Sequence, residues 1–326
     1  MNKQIQFFLD EIESHIKKIP LDCEPKALYQ PVSYCLGKGG KRIRPLMTLL
    51  ACDMFGGEIK QAMPPALGLE LFHNFTLMHD DIMDNAPLRR NHPTVHEKWD
   101  ANTAILSGDV LFAISCQYIS QVPDNILRQI LDVFYKTVIE VCEGQQYDMD
   151  FESRHKVSAK EYLEMIRLKT AVLPAACLQT GAIVAGAENK DQEKIYRFGE
   201  CIGLAFQLRD DWLDVFGQHE EFGKQSGGDI IANKKTWLYI HALQKGSDKQ
   251  KHLLSEAYSD NYSAGDSEKV SLVKSIYEDL GISGIAQNAM KAYYDQAFNY
   301  LASIDLPDAR KEDLAQLAEY LHHRKK

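Results

Sequence analysis

Apolar side chains recur every three to four residues along most of the chain. The stretches IQFFLDEIESHIKKI (5–19), LPAACLQTGAIVAGA (173–187) and IYRFGECIGLAFQLRDDWLDVF (195–216) each carry one apolar stripe at helical spacing. Alternating β-branched runs bounded by turns, the mark of strands, are almost absent. Pro64 and Pro65 predict the start of a long helix running from about Ala66 to Asp84. Breaks follow at Pro87 and Pro93, which bracket a polar loop, and at Gly56–Gly57, Gly227–Gly228 and SAGDS (263–267). No low-complexity linker or fixed-period repeat interrupts the pattern. The expectation is one all-α domain over residues 1–326.

One short pattern does recur: DDIMD at 80–84 and DDWLD at 210–214. On a helix, residues four apart share a face, roughly 6 Å apart along the axis. Asp80 therefore projects with Asp84, and Asp210 with Asp214, while Asp81 and Asp211 point about 100° away. Neither cluster sits in a polar helix. Each ends an apolar stretch, LGLELFHNFTLMH or CIGLAFQLR, so each needs a partner for its charge. Oxygen-only donors without His or Cys suit Mg²⁺ rather than Zn²⁺. Two such clusters facing one another would hold a diphosphate through bridging ions.

The net charge of −9 argues against general nucleic-acid binding. An anionic ligand must then be met by local basic groups, and four recur. GKGGKRIRP holds Lys41, Arg42 and Arg44; PLRRN holds Arg89 and Arg90; RLKTA holds Lys169 and Thr170; GKQSGGDIIANKKTW holds Lys224, Lys234 and Lys235. GKGGKR lacks P-loop spacing. Taken singly, each group reads best as a solvated surface cluster. Lys169 stands out, since a lysine within MIRLKTAVLPAA is costly to bury unpaired. His73 lies seven residues before Asp80, on nearly the same helix face. Clustered acids followed by Arg89 and Arg90 fit a metal–diphosphate complex: the acids hold metal and the arginines grip the oxygens left over.

The seven cysteines are odd in number, form no CxxC pair and lie in apolar contexts, which predicts buried thiols in a reducing compartment. The N-terminus is amphipathic rather than signal-like, and no run of 18 apolar residues exists. A soluble cytoplasmic protein without a stable membrane anchor is expected. The acidic segment YDMDFESR (147–154) is expected to be a solvated helix end, and the basic C-terminus HHRKK a frayed tail.

The motifs GGKRIRP, HDDIMD followed by LRR, KT, FQLRDDWLDVFG and GK…GGD…NKKTW, in this order from about Gly39 to Trp237, resemble those of the trans-isoprenyl diphosphate synthases. The resemblance implies a helical bundle around a deep central cavity, normally a homodimer. It implies head-to-tail prenyl transfer, in which an allylic diphosphate ionises and isopentenyl diphosphate attacks the cation. By matching position, Asp80, Asp84 and Asp210 would coordinate three Mg²⁺ ions, with Asp81 and Asp214 supporting and Mn²⁺ as an alternative metal. Arg89, Lys169 and Lys224 would hold the allylic diphosphate, with Lys234 close by. Lys41, Arg44, His73 and Arg90 would hold isopentenyl diphosphate. The Lys169 carbonyl, Thr170 and Gln207 would face the developing cation, and the released diphosphate would take the proton. Asn91 stands where glycine is common in the family, which bears on the loop and leaves both arginines in place.

In the family, residues just before the first acid cluster point into the cavity. Here they are Phe72, Phe75 and Thr76, with Phe75 about 7–8 Å and Phe72 about 12 Å below Asp80. A ring at that depth would be a floor, although core packing explains either ring equally well. The pattern resembles short-chain synthases with products of fifteen or twenty carbons. The competing functions are a longer-chain synthase, a terpene cyclase, against which DDWLD argues, and a non-catalytic helical partner, against which the full set of acids and bases argues.

Overall fold

Every residue from Pro65 to Phe72, in the middle of the segment Ile59–Met83, is buried, and a helix buried on all sides must be enclosed by others. The structure, a computed structural model, describes residues 3–154, 156–217, 227–259 and 262–323. The described chain is all-α apart from one minimal hairpin, as its periodicity predicts. The helices are α1 (Lys3–Ile16), α2 (Lys26–Gly37), α3 (Ile43–Met54), α4 (Ile59–Met83), α5 (Val95–Lys98), α6 (Ala101–Ile119), α7 (Asp124–Ser153) and α8 (Ala159–Ile166). A π turn at Arg167–Ala171 leads into α9 (Val172–Val184). There follow α10 (Asn189–Phe216), α11 (Gly228–Ile231), α12 (Trp237–Lys245), α13 (Asp248–Ala257), α14 (Asp266–Asp279), α15 (Ile282–Ala302) and α16 (Asp308–His323). The hairpin pairs β1 (Leu88–Arg89) with β2 (His92–Pro93), antiparallel.

The chain forms two compact units whose limits fall inside α7, α9, α10 and α16 and between α15 and α16. The first comprises residues 1–136, 176–195 and 305–314. Here α4 packs chiefly on α6 and α3. Gly68 lets Ile119 approach, because a Cβ at that position would lie 2.7 Å from the Ile119 side chain. The Ser115 hydroxyl donates to the Gly68 carbonyl at 2.8 Å across the same contact. Beneath α3, the Arg42 guanidinium is buried and donates to Glu13 at 2.7 Å, Glu70 at 2.9 Å and the Leu36 carbonyl at 2.9 Å. Arg42 is therefore a structural strut, distinct from its neighbours Lys41 and Arg44.

The second unit comprises residues 137–175, 196–304 and 315–326. Its core runs through Phe151, Tyr162, Leu208, Leu238, Tyr277 and Met290. The π turn is held here by Arg167, which pairs with Glu164 at 2.7 Å, Glu200 at 3.3 Å and Glu140 at 3.7 Å.

One boundary differs from the sequence reading. Helix α4 begins at Ile59, so Pro64 and Pro65 lie inside it rather than before it. Each proline removes a bond to the carbonyl four residues back. Those carbonyls belong to Lys60 and Gln61, both exposed, so water can take the place of the missing donor.

Candidate active site

The first unit gathers the basic residues expected around isopentenyl diphosphate. Asp80 is half-buried, Asp81 buried, and Asp84 exposed as the C-cap of α4. Arg89 donates to Asp81 at 2.6 Å. Burial pushes the Asp81 carboxyl up, and the Arg89 charge works against it. The hairpin turns on Arg90 and Asn91, both with positive φ (52° and 61°). Two such residues make the tight turn that suits a short hairpin, and asparagine accepts this conformation better than most residues. This accounts for a loop that keeps its shape without glycine at 91. Arg90 is held over the Gly39 carbonyl, to which it donates. The hairpin is tied down from outside: the Tyr34 hydroxyl donates to the Pro93 carbonyl at 2.8 Å, and the ammonium groups of Lys38 and Lys98 lie 4.0 and 3.9 Å from the Tyr34 ring centre. Lys41 is exposed nearby in sequence.

Arg44 carries a buried Nε with no protein partner. A buried donor left open in this way is costly unless a ligand fills it. Burial, and then the charges of Arg44, Arg90 and Arg89, push His73 well below the usual imidazole range, so it is a neutral side chain among cations. The structure thus brings Arg44, His73, Arg89 and Arg90 into one electrostatic neighbourhood.

Phe72, Phe75 and Thr76 lie one to two turns below Asp80 on α4. Phe72 is fully enclosed, with its ring 5.6 Å from Phe134, 5.9 Å from Phe75 and 6.2 Å from Phe112. Phe75 is half-buried, 5.2 Å from Phe112 and 4.6 Å from the His79 ring. The Thr76 hydroxyl turns back to the His73 carbonyl at 2.8 Å. The rings therefore belong to a four-phenylalanine cluster, and the sequence reading missed Phe112 and Phe134.

The second unit holds a cavity of about 100 Å³. Lys169, Thr170, Gln207 and Lys234 line it together with Asp148, Asp211 and Asp229. The π turn places Lys169 and Thr170 there: its extra residue closes on a Val172 N–H bond to the Arg167 carbonyl, five residues back. Lys169 is paired with Asp148. The cost of burying it is thus met, but by a residue of YDMDFESR, the segment expected to be solvated. Asp148 is half-buried in the cavity wall, so the solvated-end reading fails at that position. Lys235 donates to the Phe151 and Glu152 carbonyls at 2.9 Å, closing the end of α7.

A hydrogen-bond chain crosses the cavity. The Thr170 hydroxyl donates to Gln207 Oε1 at 3.1 Å, Gln207 Nε2 donates to Asp211 Oδ1 at 3.1 Å, and the Tyr162 hydroxyl donates to Asp211 Oδ2. Burial pushes Asp211 well up, and the Asp229 and Asp210 charges add to it. Asp229 is raised by burial and then by Asp214, Asp148 and Asp210, with Lys234 opposing. Asp214 accepts from the Gly228 and Asp229 amides at 3.1 and 3.0 Å and so caps α11. Lys224 lies outside the described residues.

Among the described residues no three acids, histidines or cysteines are already arranged as a ligand cage. The donor chemistry nonetheless fits a hard cation. The charges of Asp210 and Asp229 raise Asp211, and those of Asp214, Asp148 and Asp210 raise Asp229; a divalent ion among these carboxylates offsets that repulsion. Ions that share their shell with phosphate oxygens need no complete protein cage.

Each unit by itself presents groups suited to diphosphate esters: an arginine-bearing hairpin beside Asp81 in the first, and acids with a lysine–threonine pair on a π turn in the second. The family model of polyprenyl synthetases matches residues 25–280, and the chain belongs to that family, the trans-prenyltransferases that elongate prenyl chains. It is 43% identical over 224 residues to a geranylgeranyl diphosphate synthase of Methanosarcina mazei, covering 68% of this chain and 69% of that protein. It is 36% identical over 313 residues to a short chain isoprenyl diphosphate synthase of Methanothermobacter thermautotrophicus, covering 96% and 95%. A crystal structure of a geranylgeranyl pyrophosphate synthase, 43% identical, matches with a TM-score of 0.92 over 100% of both chains.

Proposed function

We propose that the chain joins isopentenyl diphosphate head-to-tail to an allylic diphosphate and stops at a short product of twenty carbons. The names of its relatives favour that length within the range of fifteen to twenty expected from the residues before the first acid cluster, Phe72, Phe75 and Thr76. The single observation that carries the reading is the π turn, which puts Lys169 and Thr170 into one cavity wall with Gln207 and Asp211.

The allylic carbon–oxygen bond breaks and its electron pair leaves with the diphosphate. The isopentenyl double bond then forms the new carbon–carbon bond, and the proton lost from the isopentenyl unit passes to the departed diphosphate. Lys169, Arg89 and Lys224 hold the allylic diphosphate, with Lys234 beside them. Lys41, Arg44, His73 and Arg90 hold isopentenyl diphosphate, and the open Nε of Arg44 supports that assignment. The Lys169 carbonyl, the Thr170 hydroxyl and the Gln207 oxygen present negative poles to the cation. Asp80, Asp84 and Asp210, with Asp81 and Asp214 in support, would hold Mg²⁺, three ions by the family's expectation with Mn²⁺ as a substitute, and the metal would supply Lewis-acid neutralisation of the leaving group. Met165 and Ile166 give the cavity an apolar side that keeps water from the cation.

Exposed Ile105 and Leu106 on α6 and Tyr135 and Ile139 on α7 support a homodimer, since apolar side chains of this size in solvent favour a partner. None of the seven cysteines, all among the described residues, forms a disulfide, which supports a reducing, cytoplasmic setting. Among the described residues no helix is long and apolar enough to cross a membrane.

The test is a product assay with isopentenyl diphosphate, each allylic primer and Mg²⁺, read by chromatography. A twenty-carbon diphosphate is expected. Asp80→Ala and Asp210→Ala should each lose about several hundredfold in rate, as when a main charge-stabilising group is removed. A chain that consumes no isopentenyl diphosphate with any primer overturns the reading.

A further inference from the structure

The mechanism above asks Gln207 to present its oxygen to a cation, yet a carboxamide has two nearly equal ends. Turned by half a rotation, it would aim its N–H₂ edge, a positive pole, at developing positive charge. Something must fix which end faces where. The fixing group is Asp211, in the wall of the same cavity, held in turn by Tyr162.

Asp211 accepts at both oxygens. Gln207 Nε2 donates to Oδ1 at 3.1 Å and the Tyr162 hydroxyl donates to Oδ2. Asp211 thus acts as an acceptor at both oxygens, and it is the amide nitrogen of Gln207 that turns toward it. The oxygen is then left beside Thr170, whose hydroxyl donates to it at 3.1 Å. Tyr162 is 3% exposed, and Asp211 is equally enclosed. The tyrosine comes from α8, the aspartate from α10, and the π turn carrying Thr170 lies between them in sequence. Without the Tyr162 hydroxyl, Oδ2 would be a buried acceptor with no donor. The Asp211 side chain would then rotate to share the one remaining N–H₂ group, and the amide would follow it.

We propose that Tyr162 is a positioning residue for the prenyl-transfer step: acting through Asp211, it locks the Gln207 carboxamide with its oxygen on the Thr170 side. The proposal rests on the function proposed above. It touches neither diphosphate, so its loss is felt in the chemical step rather than in substrate binding.

The test is a double-mutant cycle on the full chain with Mg²⁺, isopentenyl diphosphate and the preferred allylic primer. Tyr162→Phe keeps the ring and removes the hydroxyl. It should lower kcat by about 10- to 100-fold, the usual effect of losing a supporting partner, with KM for both substrates within about twofold. Gln207→Met removes the amide at similar size. Adding Tyr162→Phe to Gln207→Met should cost less than about twofold more, because the group Tyr162 orients is already gone. Asp211→Asn is the second variant: its own amide can donate to Gln207 and turn it round, so kcat should fall while both KM values hold. A melting temperature taken with each variant separates loss of fold from loss of rate. Equal costs of Tyr162→Phe in both backgrounds, or a raised KM at unchanged kcat, overturn the proposal. A wild-type chain that forms no prenyl product overturns the reaction reading and this inference together, whereas an active wild type with additive effects overturns the inference alone.

Discussion

Gly144 lies in the middle of α7, where glycine costs helix stability, and the structure shows what that glycine permits. A Cβ built on it would lie 2.2 Å from the Lys169 amide nitrogen, 2.6 Å from Lys169 Cα and 2.7 Å from the Leu168 carbonyl carbon. All three are backbone atoms of the π turn, so no side chain can swing aside. Ordinary contact begins at 3.4 Å, and Gly144→Ala must therefore push α7 and the turn apart by about 1 Å. Whichever side yields, Lys169 or its partner Asp148 leaves its place. A displacement of that size at a reacting centre costs roughly 100-fold in rate, or about 2.7 kcal/mol of barrier. The gain in helix propensity from alanine, about 1 kcal/mol, offsets part of the strain on the fold, so the variant should still be folded. Steady-state kcat and KM, with a melting curve on the same sample, make the measurement. Gly284→Ala is the control, since nothing lies within 4 Å of a Cβ there. A Gly144→Ala enzyme that melts like wild type and keeps kcat within about threefold would refute the claim that close backbone approach sets the position of Lys169.

Arg42→Met leaves Glu70 buried and unpaired, and should cost about 3–5 kcal/mol by chemical denaturation, part of it recovered by adding Glu70→Leu; a loss below about 1 kcal/mol would contradict the strut assignment. Phe75→Ala should lengthen the prenyl product, whereas Phe72→Ala, from a fully enclosed site, should cost about 3–5 kcal/mol and lengthen it mainly in combination; unchanged chromatograms for all three variants would remove the floor. Bonds from the Ser158 hydroxyl and amide and from Arg154 hold Glu161 down at about 2 against an ordinary 4.5. Its stabilisation is present above 4.5 and lost as pH falls toward about 2, so the melting-temperature gap between wild type and Glu161→Gln should narrow through that window, and a gap independent of pH would contradict it.

The acid clusters were legible because their signal is local. Asp210 and Asp214 share a face wherever the helix between them is regular, and α10 is regular from Asn189 to Phe216. The all-α class followed from the same periodicity. Charge was harder to read. Arg42 stands between Lys41 and Arg44 in one basic run, yet it is a buried strut while they are not, and only the positions of Glu13 and Glu70 decide that. Asp148 looked like one acid among several in YDMDFESR, because its partner Lys169 is 21 residues away. Gly144 and Gly203 were visible as lone glycines in helices. That both press on the π turn, Gly203 with a virtual Cβ 2.5 Å from Ala171 Cα, requires the packing to be known.

The π turn itself marks where spacing arguments stop. One added residue shifts every later position by about 100° around the helix, so a phase counted from Tyr162 or Met165 no longer predicts what faces Lys169 or Thr170. Arithmetic on residues 159–184 as one regular helix would separate side chains that the turn brings into a single wall. The turn also puts Lys169 and Thr170 in the cavity wall, and the three glutamates around Arg167 hold it in place. Sequence periodicity reads best where backbone geometry is ordinary. The residues proposed to do the chemistry in this unit sit where it is not, and their placement therefore depends on the contacts of Arg167, Gly144 and Gly203 rather than on the motif that contains them.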